Sequence, residues 1–158
     1  MTKYYPGFGA VKEGDPPKKT DFVLDDPEII YNTGQGNTLF HHTHRDIWFY
    51  SSPYYVLGGE YNLNRKFIGE CAVSEGELYR LWKLPEKYHD IDDCGWSQYI
   101  GEIGYGHIWI DFIHFPALTV SGKPVIVIEE EPLPYPDYLE PTCDRETIQA
   151  YKRWEEQL

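Results

Sequence analysis

The sequence predicts an α+β, mostly β domain: a single antiparallel β-barrel or sandwich with a C-terminal helix packed on it. Aromatic residues make up 16% of the 158, with 14 Tyr and 5 Trp, and 14 Gly and 12 Pro punctuate the chain. That composition suits short strands joined by turns rather than a helix bundle, and so many aromatics exclude a disordered chain. Runs of β-forming residues recur between turn signals, above all at residues 107–115 and 124–130. One helical stripe remains, Ile148, Tyr151 and Trp154 at i, i+3 and i+6. The length favours one domain, residues 1–158, large enough to bury a core unaided.

In chain order, residues 1–26 read as an irregular arm, because Pro6-Gly7, Gly9, Gly14 and Pro16-Pro17 interrupt any regular structure. Phe22-Val23-Leu24 is a short edge strand within it, and residues 28–31 are a second candidate. A turn at 33–37 leads into a strand over 40–50, which Ser51-Ser52-Pro53 breaks. Residues 54–57 form a short apolar strand ended by Gly58-Gly59, and residues 66–73 another. Ser74-Glu75-Gly76-Glu77 is either a turn or a capping box, with Ser74 as N-cap, opening a short helix through Trp82.

Residues 90–106, acidic and glycine-rich, form a long loop. The strand over 107–115 is central, with Trp109 and Ile113 buried on one face and Ile110 and Phe112 on the other, since both alternating sets are apolar. Residues 124–130 are the last strand. Four prolines between 132 and 141 make an extended crossing segment, and the helix over 144–157 takes its cap from Thr142 or Asp144.

A net charge of −12 repels phosphate backbones, which excludes nucleic acid as a partner and favours a basic one. The cysteines Cys71, Cys94 and Cys143 are odd in number and lack a CxxC spacing, so a reducing, cytoplasmic setting is expected. No apolar run marks a signal peptide or reaches transmembrane length, so no membrane partner is expected.

The sharpest chemical clue is Phe40-His41-His42-Thr43-His44, which holds three of the six histidines. On a strand His42 and His44 share a face with roots about 7 Å apart and could converge on one metal ion. A solvated strand end is the plain alternative. His107 and Asp111 share a face of the later strand but sit about 13 Å apart along it, too far to chelate together. Either could reach a substrate. Asp111, flanked by Trp109 and Ile113, would be a half-buried acid–base carboxylate, unless it is paired with Arg45, Arg65 or His114.

Gly36, five residues, then His42-Thr43-His44 resembles the opening of the first cupin motif. Tyr55-Val56-Leu57-Gly58-Gly59-Glu60 resembles the strand and glycine turn that follow it. Ser74-Glu75-Gly76-Glu77-Leu78 and Pro85-Glu86-Lys87-Tyr88-His89 resemble the turn, proline and final histidine of the second motif. The resemblance covers about residues 32–91. It implies a cupin-like β-barrel holding one divalent metal (Fe, Zn, Mn or Ni) through His42, His44 and His89. The family's glutamate position falls at Trp48 or Phe49 here, so the implied ligands are histidines alone.

These features suggest a small-molecule-binding enzyme of the isomerase, lyase or oxygenase class, metal-dependent if the resemblance holds, with a small organic substrate. The rival is an acidic module that neutralises a basic enzyme, in the manner of a toxin's immunity protein. It would use Asp90, Asp92 and Asp93 for attraction and Trp96 and Tyr99 as exposed anchors. Either reading admits a homodimer.

Overall fold

The structure, a computed structural model, describes residues 2–5, 9–12, 23–98, 108–136, 138–139 and 156–157. In chain order its elements are β1 (Thr2–Tyr5), β2 (Gly9–Lys12), β3 (Val23–Leu24), β4 (Tyr31–Asn32), β5 (Thr38–His42), β6 (Ile47–Ser51), helix α1 (Pro53–Glu70), β7 (Ala72–Ser74), helix α2 (Glu75–Leu81), a 3₁₀ turn (Glu86–Tyr88), β8 (Cys94–Ser97), β9 (Asp111–Thr119), β10 (Pro124–Glu131) and β11 (Tyr135–Pro136). The described residues are mostly β, as the composition implies. The main sheet is a curled half-barrel of six strands in the order β3-β9-β10-β5-β6-β4. It is mixed rather than antiparallel, because β10 runs parallel to β5, β3 to β9 and β4 to β6.

Four sequence expectations change. Inside the irregular arm, β1 and β2 pair as an antiparallel hairpin, the Pro6-Gly7 interruption falling between the strands. Part of the predicted loop over 90–106 is β8, the middle strand of a second sheet ordered β11-β8-β7. The expected single strand over 40–50 is the hairpin β5–β6. Its turn closes with the Asp46 N–H donating to the Thr43 carbonyl (3.2 Å) and with Asp46 at φ 52, a left-handed conformation that aspartate tolerates. Residues 54–57 and 66–70, expected as parts of two short strands, belong to one 18-residue helix, α1, and only Ala72 and Val73 of the second expected strand are extended, in β7. The predicted C-terminal helix lies outside the described residues but for its last positions.

Helix α1 starts where Ser52 Oγ accepts from the Tyr55 N–H and Pro53 supplies a preset φ. Val56, Gly59, Glu60, Leu63, Asn64 and Phe67 are its buried residues, three and four apart along one face. Asn64 clamps Ile110, donating to its carbonyl (3.0 Å) and accepting from its N–H (2.8 Å). At α2 the capping box forms, the Ser74 hydroxyl accepting from Glu77 N–H and the Glu77 carboxylate from Ser74 N–H.

The glycine pair that disguised α1 gives a test. A Cβ on Gly58 would meet nothing within 4 Å, whereas one on Gly59 would lie 2.6 Å from the ring of Trp82, which is fully buried. Gly58→Ala is expected to stabilise the fold by about 0.5–1 kcal/mol through helix propensity alone. Gly59→Ala should destabilise it by about 1–3 kcal/mol through overpacking. Urea titration of the two variants checks this, and equal effects would dismiss the close helix–helix approach.

The sheet has two apolar faces. Phe40, Ile47, Phe49 and Ile128 face α1 and α2 and join Val56, Leu63, Phe67, Tyr79 and Trp82 in the larger core. Leu39, Trp48, Ala117, Val125 and Val127 form a smaller cluster on the opposite face, with Leu24 and Ile30 packed against it. The strand expected over 107–115 begins at Asp111 instead, and it lies second from one edge of the main sheet, between β3 and β10. Ile110 is buried, as expected, but Trp109 is 42% and Ile113 47% exposed. The alternation was read correctly, but among the described residues only β3 pairs along its outer edge, and it reaches only Leu118 and Thr119.

Candidate functional site

Alternation on β5 sends neighbouring histidines to opposite faces. His42 points into the larger core and is fully buried. Its Nε2–H meets both oxygens of Glu130 on β10 (2.9 and 2.8 Å), and its Nδ1 lies 3.5 Å from the Tyr79 hydroxyl. Its ring is edge-on to Tyr79 and Trp82. A second buried pair, His114 on β9 with Glu60 on α1, lies in the same interior. Burial raises the Glu60 carboxyl above its usual range despite His114.

His44 does not share a strand face with His42, because it sits in the hairpin turn. The turn still brings the two rings to 6.5 Å between centroids, and His44 Nε2 lies 3.3 Å from Glu75. Glu75 is fully buried at the start of α2 and also accepts both arms of Arg45 (2.9 Å each) and the Tyr79 hydroxyl (2.6 Å). Burial pushes its carboxyl up, but Arg45, Tyr79 and His44 outweigh it and hold it below the usual range. His89 points its Nε2–H at the Leu84 carbonyl (2.6 Å). Among the described residues no group of three or more His, Cys, Asp or Glu side chains is placed to hold a metal ion. The Tyr55–Glu60 segment, a strand and turn in the cupin resemblance, lies inside α1.

Asp111 is exposed rather than half-buried, because it opens β9 on the face away from the helices. Asp90, Asp92 and Asp93 are exposed, with Asp93 3.6 Å from Arg45. Trp96 is not an exposed anchor: it is 1% exposed, and its Nε1–H donates to the Pro132 carbonyl (2.8 Å). As the central strand of the small sheet, β8 turns this ring inward. His107 and Tyr99 lie outside the described residues. None of the described helices is long and apolar enough to cross a membrane.

On the other side of β5, His41 lines an open groove of about 640 Å³. The segment between β3 and β4 supplies one wall, with Asp25, Asp26 and Glu28. The β5–β6 hairpin supplies His41, Asp46 and Trp48, and the 3₁₀ turn supplies Lys87 and Tyr88. His41 lies flat on Trp48, with ring centroids 4.3 Å apart and planes at 25°. One oxygen of Asp46 accepts from both rings, from His41 Nε2–H (2.7 Å) and Trp48 Nε1–H (3.2 Å), while the Asp46 side chain stays 81% exposed. Burial pushes the His41 ring below the usual histidine range against the pull of Asp46, which favours its neutral form. Tyr31 and Tyr88 meet hydroxyl to hydroxyl (3.2 Å). The Lys87 ammonium stands 5.1 Å from each ring centroid and draws the Tyr31 phenol below its usual range.

Sequence reading reached His42 and His44 but missed their partners. Glu130 carried a usable signal: Ile126, Ile128 and Glu130 fall at a period of two, so the middle glutamate of the run shares the core face. Glu60 carried none while its segment read as a strand. Comparison of the chain with protein-family models, with curated proteins and with solved structures gives no match.

Proposed function

We propose that this domain binds a small organic cation in the groove beside His41. The observation that carries the reading is the groove's charge and ring content. Four carboxylates line it against one ammonium, and that ammonium is already occupied by two tyrosine rings. Asp26 is partly spent on the Ser121 hydroxyl (2.6 Å), which leaves Asp25, Glu28 and Asp46 to meet a ligand. Carboxylates beside Trp and Tyr faces suit an ammonium or guanidinium attached to a planar or apolar body. The volume is that of a ligand with several groups rather than a single ion. The buried His42–Glu130 contact supports the reading from beneath, since it ties hairpin strand β5 to β10 from the core side.

Calorimetric titration with benzylguanidinium, with its neutral isostere benzylurea and with the anion 3-phenylpropionate tests this. The cation should bind and the anion should not, and binding should weaken as added salt shortens the Debye length below about 8–10 Å. Asp46→Asn should lower affinity for the cation about tenfold, the worth of one charge-assisted hydrogen bond. Equal binding of the anion, or no heat with the cation, would remove the reading.

A further inference from the structure

We infer that His41 is the residue through which the groove recognises its ligand, its Nδ1 accepting a hydrogen bond from an N–H of a bound guanidinium or amine. The inference rests on the groove being a cation site and adds the group that selects the cation's donors.

His41 is 8% exposed and contributes to the groove lining. Its Nε2 faces a carboxylate, which fixes the proton there and leaves Nδ1 a bare acceptor. That acceptor is buried and has no hydrogen-bond partner among the described residues. The contrast with its neighbour is direct, since both nitrogens of His42 face polar groups. An unmatched buried acceptor is unfavourable, and a phenylalanine would make the same stack on Trp48 without it. A side chain that packing alone does not explain marks a position held for binding.

The ring stacks on Trp48 and donates one hydrogen bond to a largely exposed aspartate. Because Nδ1 is enclosed, ligand binding requires the ring to turn on that face, exchanging the bond to Asp46 for one from the ligand and freeing Asp46 to meet the cation. The charged and titratable groups around it are Asp46 on the turn, His42 next on β5, Asp25, Asp26, Glu28 and Tyr31 on the facing wall, and Lys87 and Tyr88 on the 3₁₀ turn. A planar guanidinium satisfies this arrangement. One N–H goes to the neutral imidazole, others go to Asp46 or Glu28, and its face lies against a ring. The shared chemistry is a guanidinium or amine, whether on a free molecule or on a basic side chain of a protein.

The test compares the intact chain with His41→Phe by calorimetry, using benzylguanidinium and a short Arg-Trp-Arg peptide. The variant should melt no lower than the parent and bind benzylguanidinium about tenfold more weakly, the loss expected for one hydrogen bond to a charged group. With the His41 value lowered from 6.5, the parent's affinity should hold above that pH and fall as pH drops through the lowered value, because protonation removes the acceptor and adds a repelling charge. The variant should lack this step and respond only where carboxylates titrate.

Either order of affinity between the two probes supports the inference, the peptide ahead pointing to a basic protein and benzylguanidinium ahead to a free molecule. Parent-like affinity in the variant would overturn the role of His41 and leave the groove reading standing. No binding of either probe to the parent would overturn both. Should the variant fail to fold, imidazole ¹⁵N shifts of the parent decide the matter. Benzylguanidinium should move the His41 Nδ1 signal, and an unmoved signal with ligand bound overturns the inference.

Discussion

Glu130→Leu is expected to lower the unfolding free energy by about 3–5 kcal/mol, because it leaves His42 buried with its Nε2–H facing no acceptor. Both oxygens of Glu130 meet that nitrogen, and neither side chain has any exposed surface. The pair also joins strands that are far apart in sequence, β5 and β10, which run parallel. The companion variant His42→Leu with Glu130→Leu should recover most of the loss, since two apolar groups of similar size leave no stranded charge. Urea unfolding of parent, single and double variants measures this as midpoints at constant slope. A single variant within about 1 kcal/mol of the parent would mean that water reaches His42 and that the pair is not the buried lock described above.

Trp82→Ala should cost about as much, about 3–5 kcal/mol, by a different route. Trp82 is the hub of the interior rings, with centroids 5.4 Å from His42, 5.5 Å from Phe49 and 6.3 Å from Phe112. Its Nε1–H donates to the Val56 carbonyl (3.1 Å) in α1. Truncation therefore opens a cavity between α1, α2 and the sheet. Trp82→Phe should cost markedly less, because it keeps most of the packed volume. If the two substitutions cost the same, the hydrogen bond to Val56 rather than packing would be the main contribution.

How much of this could be read from the chain depended on whether the signal was local. The capping box at Ser74 and Glu77 involves residues three apart, and of the two readings the sequence left open, turn or capping box, it is the one that forms. The β-branched run of β10 left no competing reading. The hairpin turn at residues 43–46 escaped because it contains no glycine or proline, its left-handed position being filled by Asp46. Helix α1 escaped because Gly58-Gly59 looks like a break. Yet Gly59 is needed where Trp82 presses on the helix, and tertiary packing outweighs the propensity cost. The partners of the histidines were harder still. His42 and Glu130 are 88 residues apart and meet only because β10 inserts between β9 and β5. The groove draws on three separated stretches of chain, so no local pattern could announce it.

The alternation on β5 and β6 has a consequence for how such a protein can change over generations. Leu39, His41, Trp48 and Tyr50 lie on the groove side, and Phe40, His42, Ile47 and Phe49 on the helix side. Each codon that shapes the groove face thus stands next to one that shapes the interior, but the two sets do not touch across the sheet. Selection can rewrite the first set while the second keeps the scaffold intact. Insertion or deletion of a single residue in either strand would exchange the two sets at once. Lineages built on this hairpin should therefore diversify by substitution and hold its length fixed.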